Sequence, residues 1–249
     1  MLLWARSLLF TLQMFVTVWF YAALVTLLFW APYSTRFAIA RAWCRLQVEL
    51  VEAICGLGYR VEGREHVPTD RPVVCYLKHQ SAWETFIQLV EFPSQCWVHK
   101  QELVWVPIFG WALRAMDAIA IDRGAGHAAV EQVVAQGRCQ LAAGKWVMIF
   151  PEGTRMPPGT TRRYGVSGAV LAAATDTPIL PVALNAGDFW RRNGLIKRPG
   201  TIVVRIGPLI EPRGRAPEEI NAEAQAWIEA QMKDITPGYA GIELERTKG

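Results

Sequence analysis

Pro72-Val73-Val74-Cys75-Tyr76-Leu77-Lys78-His79-Gln80-Ser81-Ala82-Trp83-Glu84-Thr85 is the stretch whose reading decides the fold. Its first six residues form a short apolar run, which predicts a strand, and the segment 84–90 beyond it predicts a helix. A base, His79, and a carboxylate able to orient it, Glu84, therefore sit where a strand ends and a helix begins. Ser81-Ala82-Trp83-Glu84 also fits a capping box, in which Glu84 would bind the backbone N–H of Ser81. The carboxylate has two oxygens and could do both.

Outward from this stretch, apolar runs at 59–62, 95–98, 118–121, 145–150, 178–184 and 202–206 predict further strands. Between them, 128–143 and 167–174 predict helices. A last helix begins near Pro217, with Ile220, Ala224, Trp227, Ile228 and Met232 on one face. Alternation of this kind predicts an α/β fold, a single mixed-sheet domain with covering helices.

The N-terminal part is different. Ser7 to Thr35 contains no charged residue, and the run from Leu8 to Trp30 is long enough to cross about 30 Å of hydrocarbon as a helix. A cleaved signal peptide has a shorter apolar core followed by a small-residue cleavage site, so the length favours a retained, membrane-embedded helical segment. Trp4, Trp30 and Tyr33 stand near its ends, as interfacial aromatics do. Arg36, Arg41 and Arg45 follow the segment, and their positive-inside bias predicts a main domain on the cytoplasmic side of the membrane. A hairpin broken near Pro32 and embedded in one leaflet satisfies the same residues. The expected division is 1–35 as anchor, 36–58 as an interfacial helix and 59–249 as the main domain.

With 249 residues, 52% of them hydrophobic, the chain can bury one sizeable core. Its five cysteines are scattered, which fits a reduced compartment and supplies neither a disulfide framework nor zinc spacing. The net charge of +4 favours anionic lipids, phosphorylated substrates and acidic carriers. No nucleic-acid module is present, so nucleic acid is not an expected partner.

Phe150-Pro151-Glu152-Gly153-Thr154-Arg155 follows the predicted strand 145–150, and α/β sheets place ligands at that end of their strands. Arg155 offers a planar fork suited to phosphate, Gly153 permits close backbone approach, and Thr154 adds a hydroxyl donor. Glu152 could bind a substrate glycerol or hold Arg155. Lys100, after another strand-like run, is a candidate for the same basic mouth.

Together with Gly110-Trp111 through Ile121-Asp122-Arg123, and with Ile179-Leu180-Pro181-Val182, these segments resemble the four ordered blocks of the glycerolipid acyltransferases. The resemblance covers 72–187. It implies transfer of a fatty acyl group from acyl-carrier protein or acyl-CoA to the sn-2 hydroxyl of 1-acyl-sn-glycerol 3-phosphate (lysophosphatidic acid), beside membrane lipids, without cofactor or metal. His79 is then the general base, Glu84 stands where the family usually has Asp, Arg123 becomes a second phosphate ligand, and Pro181 shapes the acyl groove.

Rival readings are an acyltransferase for another lysolipid, such as a lyso-ornithine lipid, or a membrane lipid-binding protein without catalysis. A metallohydrolase is weaker, since the chain lacks a His-Glu-x-x-His motif.

Overall fold

The structure is a computed structural model that describes residues 1–122 and 124–244. Helix α1 (Leu2–Leu27) turns at Leu28–Pro32 into α2 (Tyr33–Cys55), so the N-terminal segment is a helical hairpin. Pro32, with φ near −51°, starts α2 in the conformation that proline fixes. Gly56 ends it at φ 71°, donating its N–H to Glu52 O at 2.8 Å, the left-handed cap for which glycine is suited.

The body then runs β1 (Leu57–Glu62), β2 (Val74–Leu77), α3 (Glu84–Glu91), β3 (Gln95–Lys100), α4 (Phe109–Ala115), β4 (Ile119–Ile121), α5 (His127–Ala142) and β5 (Trp146–Ile149). It continues with β6 (Thr160–Thr161), α6 (Ser167–Thr175), β7 (Ile179–Leu184), α7 (Ala186–Phe189), β8 (Gly200–Ile206), α8 (Pro217–Ile235) and β9 (Ile242–Glu243). Among the described residues seven strands form one sheet in the order β1-β8-β7-β2-β5-β3-β4. The five from β7 to β4 are mutually parallel; β8 runs antiparallel to β7, and β1 pairs parallel with β8. β6 and β9 pair separately.

β2 is central and buried on both faces, and its side chains alternate between two cores as the strand period requires. Cys75 and Leu77 join the layer of α1, α2 and α3, whereas Val74 and Tyr76 join that of α5, α6 and α8. The next residues of the chain therefore leave the sheet at the C-terminal edge of its middle, where parallel α/β sheets hold their ligands.

The hairpin is fastened to this body at both ends of α1. Near its start, Ser7 Oγ accepts the backbone N–H of Lys197 at 3.0 Å. Buried Lys197 also reaches Thr11 with its ammonium group and lies 4.6 Å from the ring centroid of Trp190. Near its end, Thr26 Oγ1 contacts Ile108 O at 3.5 Å. The outward face, including Leu8, Leu12, Phe15, Trp19 and Phe20, is left exposed and apolar. α1 is the one described helix long and apolar enough to cross a membrane.

The arginines that follow the apolar segment have a structural duty that the charge pattern did not show. Arg41 donates to Leu89 O at 2.7 Å and to Phe92 O, and Arg36 donates to Ala115 O. Both thus satisfy carbonyls at the ends of α3 and α4 that have no partner within their own helices. Their presence is explained by packing, which weakens the topological inference drawn from them.

Candidate active site

His79 leaves the end of β2 with its backbone held on both sides by the 150–156 loop. Its N–H donates to Glu152 Oε2 at 2.7 Å, and its carbonyl accepts the N–H of Met156 at 2.7 Å. The imidazole stacks on Phe150, with centroids 3.8 Å apart and planes inclined by 16°. The two sequence blocks thus meet through main chain, ring and carboxylate.

Glu84 makes both contacts its sequence position suggested, but α3 begins at Glu84 itself and Ser81 Oγ accepts the N–H of Trp83 at 3.2 Å, so the reciprocal half of the expected capping box is not formed. Both of its oxygens lie 2.8 Å from the N–H of Ser81, and Oε1 also accepts from Gln80 N at 3.2 Å. Oε2 lies 3.2 Å from His79 Nδ1; whenever the carboxyl is ionised, a proton on Nδ1 is donated to it and the opposite nitrogen becomes the basic one. His79 precedes the helix, as it must: residues five apart within a regular helix would diverge by about 140°.

Burial pushes the Glu84 carboxyl up to about 8, while the N–H donors of Ser81 and Gln80 and the Arg155 charge pull against it. The folded value thus exceeds the usual carboxyl value of 4.5. Between those limits the folded chain holds more proton at this group than the unfolded chain does. Its contribution to stability is therefore complete below 4.5 and is lost as pH rises through about 8. Glu84→Gln keeps the volume and an acceptor oxygen but removes the titration. Melting temperatures at pH 5 and pH 8 should differ less in Glu84→Gln than in the parent; an unchanged difference would place the pH dependence elsewhere.

A cleft of about 760 Å³ opens beside the imidazole. At one end His79, Thr154, Arg155, Lys100 and Arg192 line it; at the other it runs between α1, α2, α3 and α4 past Phe15, Trp19, Val25, Trp43, Phe86 and Leu113. Among the described residues its lining includes the cations Lys100, Arg155 and Arg192 and no carboxylate. The arrangement suits an anionic head joined to a hydrocarbon chain, with the imidazole where the two meet.

Of the residues singled out in the sequence, His79, Lys100, Thr154 and Arg155 are brought together at the cleft. Gly153 forms the turn, at φ 70°, with its N–H on Phe150 O at 2.9 Å. Glu152 faces away: it is buried behind His79 and paired with Lys78 at 2.7 Å. Pro181 lies within β7 and is not among the cleft-lining residues. Arg123 lies outside the described residues. Arg192 had drawn no attention in the sequence. It lies within a turn pinned by buried Trp190, whose indole donates to Gly194 O at 3.1 Å, and its guanidinium reaches Arg155 O at 3.4 Å.

A mixed α/β sheet with a histidine–carboxylate pair at the edge of its central strand, opening on a long apolar cleft, defines the class as α/β acyl-transfer enzymes. Comparison with known proteins makes this specific. Residues 58–185 match the acyltransferase family, and the chain belongs to that family. It is 41% identical over 210 residues to the 1-acyl-sn-glycerol-3-phosphate acyltransferase of Pseudomonas aeruginosa, covering 83% of this chain and 81% of that protein. It is 27% identical to 1-acyl-sn-glycerol-3-phosphate acyltransferase alpha of Mus musculus, across 73% of this chain and 65% of the longer mouse protein. The crystal structure of the 1-acyl-sn-glycerophosphate acyltransferase of Thermotoga maritima shares the fold, with a TM-score of 0.76 at 21% identity, over 92% of this chain and 96% of that one.

Proposed function

We propose that this O-acyltransferase moves a fatty acyl group from an acyl thioester, acyl-CoA or acyl-carrier protein, to the sn-2 hydroxyl of 1-acyl-sn-glycerol 3-phosphate, giving phosphatidic acid. The observation that carries this reading is the cleft itself, which among the described residues is lined by three cations and no carboxylate where His79 stands and by apolar side chains along the rest. The relatives' names supply the same acceptor.

In this reading the acceptor hydroxyl meets His79 Nε2, which takes its proton as the oxygen attacks the thioester carbonyl. Glu84 stabilises the imidazolium so formed from the Nδ1 side. The tetrahedral adduct collapses, the C–S bond breaks, and the leaving thiolate takes the proton from the imidazolium, which releases free thiol and restores the neutral base. No acyl-enzyme is required because the thioester is already activated. The four described cysteines that are buried, Cys44, Cys55, Cys75 and Cys96, have no step to perform.

Arg155 and Arg192 hold the phosphate and bring the hydroxyl to the base. Replacing Arg155 by Ala should raise KM for the phosphate-bearing acceptor about 10- to 100-fold, the scale of a charge-assisted contact, with kcat little changed. Arg192→Ala should act in the same direction but less, because that side chain is more exposed. A panel crossing acyl donors with lysolipid head groups tests the whole reading. A KM for lysophosphatidic acid indifferent to Arg155, or preference for a head group without phosphate, would direct attention to another lysolipid.

The fastening of α1 at both ends favours a hairpin lying in one leaflet over a helix that departs from the body to span. A helix of this length reaches about 39 Å, and here it runs along the catalytic domain and lines its cleft. Its exposed apolar face then enters the cytoplasmic leaflet of the inner membrane, so that segments 1–35 and 36–58 deliver the lipid acceptor sideways into the cleft.

A further inference from the structure

Lys78 is completely buried next to His79, and the proposed chemistry gives it no step. Its Nζ lies 2.7 Å from Glu152 Oε1 and 2.7 Å from Glu229 Oε1, so one cation ties the loop behind His79 to helix α8. The second oxygen of Glu152 receives the N–H of His79. Glu229 in turn accepts from Thr161 Oγ1 at 2.9 Å, from the Tyr164 hydroxyl at 2.9 Å and from the Tyr239 hydroxyl. The Tyr239 hydroxyl lies 3.2 Å from Thr160 O, and the Lys78 ammonium stands 5.6 Å from the Tyr239 ring centroid.

We propose that Glu229 on α8 and Tyr239 beyond it are positioning residues, which fix His79 through Lys78 and Glu152. The inference rests on the reading of His79 as general base.

The physical reason is charge in a dry interior. A buried carboxylate is a strong acceptor only while ionised, and charge-assisted hydrogen bonds are roughly twice as strong as neutral ones. Burial pushes Glu152 up to about 7, and the Lys78 cation is the main influence pulling the other way. Lys78 is held there because Glu229 attracts it from the opposite side while three hydroxyls satisfy the remaining lone pairs of that carboxylate. Removing any link loosens the N–H contact that sets the height of the imidazole above the end of β2. A displacement of about 1 Å at a reacting group is worth about 10²-fold in rate.

Glu229→Gln keeps volume and hydrogen bonding but removes the charge, Lys78→Met removes the cation, and Tyr239→Phe removes one hydroxyl. Full-length variants should be assayed with acyl-CoA and 1-acyl-glycerol 3-phosphate, and kcat expressed per folded molecule. Glu229→Gln and Lys78→Met should lower kcat about 10- to 100-fold with KM for both substrates unchanged, and Tyr239→Phe less. A network that only stabilises the fold would lower the melting temperature and leave kcat per folded molecule at the parental value. That result in Glu229→Gln and Tyr239→Phe would overturn the proposal, even if Lys78→Met did not fold. The two readings separate cleanly. Parental kcat in His79→Ala removes the base itself, whereas an inactive His79→Ala beside a fully active Glu229→Gln removes only the coupling.

Discussion

His79→Ala is expected to lower kcat by about 10²- to 10⁴-fold, the range attributable to one general base, while KM for the acyl donor changes little. The size follows from the substrate. A lipid hydroxyl is a poor nucleophile near neutral pH, and of the two described histidines that line the cleft, His79 is the one that follows β2 and meets Glu84 at 3.2 Å. His99 also borders the cleft but belongs to β3, where its Nδ1 lies 2.8 Å from Lys100 O. Residual turnover would come from the positioning of the two substrates in the cleft. The check is release of free thiol from acyl-CoA in the presence of lysophosphatidic acid. Thiol release that continued unaltered in His79→Ala would sink the general-base mechanism.

Most of the sheet was legible because its strands are short apolar runs between polar or glycine-bearing breaks. All seven predicted runs, 59–62 through 202–206, became strands of the main sheet. The short helix α4 was not legible: Phe-Gly-Trp-Ala-Leu-Arg-Ala carries too few turns to show a period, and tertiary packing against α1 decides it. Nor could periodicity show that the N-terminal segment returns along the domain, because that depends on Lys197 meeting Ser7 from 190 residues away.

The histidine–carboxylate contact was readable because both members lie within six residues of one another. Arg192 was not, since it reaches the cleft only through the turn that Trp190 anchors. Lys78 stood in plain view beside His79 and reads as the polar edge of a strand. Its meaning depends on Glu152 and Glu229, which approach from the far side of the sequence. Glu152 illustrates the same limit. Its place in the third block suggested a substrate contact, but the strand end that carries it turns the carboxylate inward, toward the backbone N–H of His79.

Replacing Glu84 should have the second-largest effect, and two substitutions separate its two duties. Glu84→Ala removes the partner of His79 Nδ1 and leaves the buried N–H groups of Ser81 and Gln80 without their acceptor. Two such groups cost roughly 2–5 kcal/mol together, so both kcat and melting temperature should fall. Glu84→Asp is the more decisive change. It shortens the arm by one C–C bond, about 1.5 Å. The Ser81 N–H, at 2.8 Å from both oxygens, is near the start of the helix and within reach of a shorter acid, as aspartate is at many helix starts. The imidazole contact is longer, 3.2 Å, and points out of the helix toward the cleft. Aspartate should therefore preserve most of the melting temperature while lowering kcat about 10- to 100-fold through loss of ring orientation. Aspartate is the usual acid in the family this chain resembles, so the expected loss is specific to the way His79 is set here, with its backbone pulled toward Glu152 and Met156. Parental kcat in Glu84→Asp, together with a normal melting temperature, would reduce Glu84 to a helix cap and leave the tautomer of His79 to some other partner.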